Sequence, residues 1–210
     1  MASVVQICNM ALSHIGSEAR VSSISPPDGS VEAGYCATFY DMARTEMIEP
    51  GNWRFVLKRA ALAQTTNVSQ TWAYAYVLPS DCLRAQRVLR PGSTLTVFTQ
   101  DDPHFSPNDQ DSADFELEGE VLYTNEPDAV LVYVRDVTDS TKFSPSFTSA
   151  LSYLLASYLA GPILKGNEGV RVGDAMRERA MALADMAAAA SANASSTTHD
   201  FMPSSIRART

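Results

Sequence analysis

The chain has 210 residues, of which 45% are hydrophobic and 19% charged, enough for one good core or a core with a subdomain set into it. Its formal net charge of -8 excludes a protein that grips nucleic-acid phosphates, because that grip comes from clustered Lys and Arg. An acidic surface is still compatible with letting DNA slide past.

Val4, Cys8, Ala11, Leu12 and Ile15 recur at three- and four-residue spacing, which predicts a short amphipathic helix with Ser3 as N-cap and Gly16 as its stop. Residues 20–29, with Pro26-Pro27 and Asp28-Gly29, read as an irregular connector. Ser30 then caps a second helix carrying Ala33, Ala37, Tyr40, Ala43, Arg44 and Met47 on one face, and Pro50-Gly51 ends it.

Beyond this point the period changes to two. Trp53, Phe55 and Leu57 alternate, as do Tyr74 and Tyr76, and residues 83–89 follow the interruption at Pro79-Ser80-Asp81. Leu95 and Val97, then Phe115, Leu117, Val121 and Tyr123, and finally residues 130–134, complete a set of predicted strands. Residues 67–71 and 100–112 read as polar loops. From Pro145 the helical period returns through Phe147, Leu151, Leu154, Leu155, Tyr158 and Leu159, and Gly161-Pro162 is expected to break that helix. A last, Ala-rich helix spans about 168–194, roughly 40 Å at 1.5 Å per residue. Val170, Asp174, Arg177, Met181 and Ala184 are expected to form its narrow packing face.

The predicted fold class is α+β: a helical bundle made by the N- and C-terminal helices, an inserted antiparallel β-rich subdomain, and an extended C-terminal tail. The expected divisions are 1–52 and 141–196 for the bundle, 53–140 for the insertion and 197–210 for the tail. Cys8, Cys36 and Cys82 lack CxxC or Cys/His spacing, so no metal is expected and free thiols imply a reducing compartment. Residues 1–6 carry no charged n-region, so no signal peptide is read. No apolar run is expected to reach the roughly 18–20 residues of a membrane span, and no membrane partner is expected.

Reactive chemistry is sparse. His14, His104 and His199 accompany no Ser-His-Asp order and no GxSxG elbow, so no catalytic residue and no cofactor are assigned. Residues 101–120 hold Asp101, Asp102, Asp109, Asp111, Asp114, Glu116, Glu118 and Glu120 with no Lys or Arg. As a strand, 114–118 places Asp114, Glu116 and Glu118 on one face with Phe115 and Leu117 toward the core. A glycosidase-like carboxylate pair needs one acid held protonated by burial, which an exposed strand face does not supply, so a solvated face is expected. In a ring, Asp101, Asp102, Asp109, Asp111, Asp114, Glu116 and Glu118 would line a channel and repel DNA phosphates. Whether Gly119 makes a hairpin there stays open at this point. Arg84, Arg87 and Arg90 suit either a partner's acidic surface or an edge strand kept charged against aggregation. Trp53 and Trp72 read as core or interface anchors. In the tail, the apolar Phe201, Met202 and Ile206 stand in a polar, Pro-containing peptide that docking onto a neighbour would order.

Several of these segments together resemble one family. Residues 8–16 (Cys8-Asn9-Met10-Ala11-Leu12-Ser13-His14-Ile15-Gly16), Tyr40 and Arg44, and Trp53-Arg54-Phe55 are similar to the start of podovirus tail adaptors, also called tail tubular protein A or head-to-tail connectors. Leu78-Pro79-Ser80-Asp81-Cys82-Leu83-Arg84 and residues 115–125 resemble strand elements of that family. Tyr133, Pro145, Phe147, Ala150-Leu151, Leu155-Ala156 and Leu159-Ala160 resemble its third helix. The likeness implies a virion structural protein of the tail neck, present in host cytoplasm during assembly. It implies a ring, a dodecamer in that family, beneath the portal protein, with the tail nozzle protein below and DNA passing through without specific binding. By the same resemblance Phe201, Met202, Ile206, Arg207 and Arg209 would reach the portal. A connector or completion protein of a long-tailed phage, or a virion-associated cell-wall hydrolase using acids of 114–120, are the alternatives.

Overall fold

The computed structural model describes residues 2–51, 53–89 and 112–193, which form an α+β fold of four helices and two antiparallel sheets. Helix α1 (Val4–His14) opens on a capping box: Ser3 Oγ accepts the Gln6 N–H, and Gln6 Oε1 accepts the Ser3 N–H at 2.8 Å. Gly16, at φ +76°, supplies the left-handed residue just past its end. Helix α2 (Val31–Ile48) starts at Ser30, whose Oγ accepts the Ala33 N–H. Between them Asp28 accepts the N–H and O–H groups of both Ser22 and Ser30, pinning the connector. Cys8 and Cys36 are free and wholly buried.

The expected strand at Trp53, Phe55 and Leu57 begins only at Leu57, and its first part is corrected. Residues Arg54–Val56 form a 3-10 turn, because Trp53 turns inward and donates its indole N–H to the Met47 carbonyl at 2.9 Å. The strands in chain order are β1 (Leu57–Ala61), β2 (Ala63–Gln64), β3 (Tyr74–Val77), β4 (Cys82–Leu89), β5 (Ser112–Ala113), β6 (Phe115–Glu118), β7 (Val121–Thr124) and β8 (Val130–Arg135). One sheet runs β1-β8-β4-β5 and the other β2-β3-β7-β6. Val88, Ala113, Leu131 and Tyr133 from the first share a buried cluster with Tyr76 and Leu122 from the second, so the sheets face each other. On its other face β8 gives Val134 to the helical core. Burial on both faces is why residues 130–134 read as an unbroken apolar run. Gly119, at φ +60°, and Glu120 form the two-residue turn that pairs Glu118 with Val121, so β6 and β7 are a hairpin. Leu117, expected to face the core, is 43% exposed. Leu95 and Val97 lie outside the described residues.

Helix α3 (Pro145–Leu164) is capped by Ser144 and touches α1, α2 and α4 (Gly166–Asn193). Its expected break at Gly161-Pro162 does not occur. Pro162 forfeits one backbone donor, yet the last turn still closes through Lys165 N–H to the Gly161 carbonyl at 3.0 Å. The chain turns instead at Lys165 and Gly166, both at positive φ. The expectation about apolar runs is also corrected. Helix α3 is long and apolar enough, by length and composition, to cross a membrane, and 56% of that stretch is buried against the rest of the fold. A helix enclosed by neighbours is apolar all round for the same reason a membrane span is.

Helix α4 spans 28 residues, about 42 Å, and its packing face differs from the expected one in its first half. Val170 is 62% exposed, Asp174 is exposed, and Arg177 reaches Glu46 of α2 instead of the core. The residues turned toward the helical core are Gly169, Val172, Gly173, Met176, Ala180, Met181, Leu183, Ala184 and Ala187, which include the expected Met181 and Ala184. Gly169 sits so close to α3 that an added Cβ would come within 2.9 Å of the Ala160 carbonyl oxygen, and at Gly173 within 3.1 Å of that of Ser157.

Candidate functional site

Charged groups tie the elements together at three junctions. Arg44 of α2, 4% exposed, pairs with Asp136 just after β8, donates to the Val137 carbonyl at 3.1 Å and reaches Asp41 at 3.3 Å. Glu46 of α2 accepts from Tyr158 of α3 and from Arg177 of α4. Asp81 accepts from Lys58 of β1 at 2.9 Å and from the Tyr133 hydroxyl of β8 at 2.7 Å. Lys58 and Tyr133 hold the Asp81 carboxyl below its usual range, Lys58 most of all. Each of these groups is occupied in joining two or more elements.

His14 occupies a comparable position. The Ser152 hydroxyl donates to the Ser149 carbonyl at 2.8 Å, so its oxygen accepts from His14 Nε2–H at 3.0 Å. The imidazole stacks on Tyr153 at 3.9 Å, and Arg179 lies over the same tyrosine ring at 5.1 Å. Burial, then the charge of Arg179, lowers its pKa from 6.5. The unfolded chain therefore binds more protons below pH 6.5, and stability falls as pH drops through that value toward the lower folded pKa. His14→Phe keeps a ring against Tyr153 and removes the proton site. Thermal unfolding at pH 7.5 and 5.5 is expected to show a smaller loss on acidification in the variant, and equal losses would refute the assignment.

The sequence-predicted site residues fall into two groups. Asp101, Asp102, Asp109 and Asp111 lie outside the described residues, as do Arg90, His104, His199 and all five tail residues, Phe201, Met202, Ile206, Arg207 and Arg209. Asp114, Glu116 and Glu118 are described and exposed. Glu116 and Glu118 lie in β6, while Asp114 precedes it outside regular structure. Glu116 accepts the Trp72 indole N–H at 2.7 Å, which places Trp72 at the surface of the second sheet rather than in a core. Trp53 is the core residue of the pair, 4% exposed.

Arg84 and Arg87 pair with β8 on one side of β4, and β5 reaches only Val88 and Leu89 on the other, so no described strand flanks the two arginines on that side. Register places Leu57, Val134 and Arg84 in one row across the first sheet, and Arg59, Val132 and Arg87 in the next. Residues opposite each other in an antiparallel pair share a face, so Arg59, Arg84 and Arg87 stand on one side with two valines between. Sequence reasoning missed Arg59. Its alternation with Leu57 was visible, but its neighbours across β8 depend on long-range pairing. Among the described residues no group of three His, Cys, Asp or Glu side chains is gathered to hold a metal ion. No protein-family model matches this chain, and no curated protein matches it either.

Proposed function

We propose that the chain is a ring-forming tail adaptor of a short-tailed phage virion, joining the portal to the tail nozzle and extending the DNA channel. In this reading the four helices act as one bundle, residues 53–140 are inserted into it, and residues 197–210 are the arm toward the portal. The work is association, not catalysis: the hairpin acids are exposed rather than held in a cleft, and His14 is engaged by Ser152 and Tyr153.

The observation that carries the proposal is the exposed apolar side chain of Met186 near the end of α4. Gly169 lies against Gly161 and Gly173 against Ser157. Continued along the antiparallel pair, that register brings Asp185 about level with Pro145, where α3 begins. Beyond that level α4 continues through residues 186–193, with Ala187 still packed against the helical core. Met186 on that stretch is 70% exposed. An exposed apolar side chain near a helix end offers a contact to a partner. Burial of such surface stabilises assembly by roughly 25 cal/mol per Å2 before ordering costs, and ring repetition multiplies weak contacts. The net negative charge disfavours sticking of DNA as it passes.

Native mass spectrometry of the chain, alone and with its portal ring, tests the proposal, using the full length and a form ending at Ala194. A closed ring on the portal for full-length protein, weakened in the shortened form, is the expected result. A monomer in every mixture would overturn the adaptor reading.

A further inference from the structure

The second sheet ends in two strand edges that differ in kind. Its order β2-β3-β7-β6 leaves one side of β2 and one side of β6 without a neighbouring strand among the described residues. Both edges are open: Ala63, Gln64, Glu116, Leu117 and Glu118 are all exposed. Edge strands carry unpaired N–H and C=O groups, and chains commonly guard them with charge or proline. The β6 edge is guarded by Glu116 and Glu118. The β2 edge is not, since residues 60–80 contain no Asp, Glu, Lys or Arg and no proline before Pro79.

The ladder fixes which backbone groups face outward. Thr65 donates its N–H to the Ala75 carbonyl at 2.9 Å. Thr65 therefore turns its backbone polar groups toward β3, and Gln64, one residue earlier, turns its own to the open side. The same alternation, carried through the Tyr76–Leu122 and Glu116–Tyr123 pairs, points the backbone of Glu116 and Glu118 at β7 and that of Leu117 at the open side. The two-residue turn after Glu118 requires that arrangement as well. Strand direction reverses at each step across the sheet, so β2 and β6 run opposite ways. A second copy set beside the first in the same orientation brings its β6 antiparallel to β2.

We propose that β6 of one copy adds to the free edge of β2 in the next, Gln64 and Leu117 exchanging two backbone hydrogen bonds, so that the second sheet continues from subunit to subunit. This rests on the ring reading and names its subunit contact. The two strands are opposite edges of one sheet, so the contact is head-to-tail, the type that closes a ring when the rotation between copies permits. In this register Leu117, 43% exposed in the single chain, shares a face with Gln64 and lies diagonal to Leu62. Glu116 and Glu118 stand opposite the neutral Thr65 and Ala63. Pairing β6 with another β6 about Leu117 would set Glu116 against Glu118, a like-charge opposition that disfavours the symmetric dimer.

Proline at the two outward positions tests it. Gln64→Pro and Leu117→Pro each delete one donor that faces the open side, and an edge strand accepts proline there because no bond within the sheet is lost. Gln64→Ala keeps the donor and is the control. In analytical ultracentrifugation each proline variant is expected to self-associate at least about fivefold more weakly than wild type, the net worth of one backbone hydrogen bond, while Gln64→Ala associates as wild type does. Amide hydrogen exchange on the wild-type chain gives a reading that needs no variant: the Gln64 and Leu117 amides are expected to slow at least about tenfold on assembly. Wild-type-like association of both proline variants, or unchanged exchange at both amides, would overturn the strand contact while leaving the ring reading in place. A wild-type chain that is monomeric throughout, with and without portal, would overturn both.

Discussion

Phe147→Ala is expected to lower stability by about 3–5 kcal/mol, the range for deleting a large aromatic side chain from a packed core. Phe147 is wholly buried in the first turn of α3. Its ring meets Trp53 edge-on at 5.0 Å, Phe55 at 5.0 Å and Phe143 at 4.7 Å. Those partners come from the segment before β1 and from the segment leading into α3, so one ring joins α3 to both crossings between helices and sheets. The loss combines transfer of the ring to water, a cavity among three aromatics, and edge-to-face contacts worth about 0.5–1.5 kcal/mol each. Since domains of this size hold about 5–15 kcal/mol in total, the variant should sit near its unfolding threshold. Urea denaturation followed by tryptophan fluorescence measures it. A loss below about 1 kcal/mol would mean that the helices and sheets are joined elsewhere.

The second large effect concerns Gly169. A methyl group there meets the Ala160 carbonyl oxygen at 2.9 Å and Gly161 Cα at 3.2 Å, which is backbone with no side chain free to swing away. Gly169→Ala should cost about 1–3 kcal/mol through overpacking, partly offset by roughly 1 kcal/mol of helix propensity. Gly169→Leu should force α4 off α3 and exceed it. Gly34→Ala in α2 is the matched control: nothing lies within 4 Å of the added carbon, so propensity alone should stabilise by about 0.5–1 kcal/mol. The same chemical change therefore has opposite signs in two helices, read from thermal unfolding by circular dichroism. A shift of the same sign at both positions would show that the α3–α4 approach is looser than its geometry.

The Gly169 contact also marks where pattern reading ran out. Helix α4 is rich in small residues, and a face of alanines and glycines has little hydrophobic contrast with its neighbours. Pattern reading placed its packing stripe on Val170, Asp174 and Arg177, one position away from Gly169, Gly173 and Met176. The expected stop at Gly161-Pro162 failed similarly, since packing of α4 along α3 carries the helix two residues beyond the proline. Trp53 and Phe55 look alternating in sequence, but the indole bond to Met47 bends the backbone before any strand can form. The cationic row of Arg59, Arg84 and Arg87 was only half legible, because which strands flank β8 is a matter of long-range pairing.

What the sequence determined by itself was local. Ser3 with Gln6 and Ser30 with Ala33 fixed the starts of two helices. Gly16 ended the first, and period-two segments announced the strands. In each case the partners lie within a few residues, so chain chemistry alone defines the geometry. Tertiary structure alone decided the order of strands in both sheets and the burial of β8 on two sides. It also decided the seating of Arg44 on Asp136 and the alignment of Arg59 with Arg87 across β8. Those features join residues tens of positions apart. Their energy depends on which surfaces meet, and no local pattern encodes that choice.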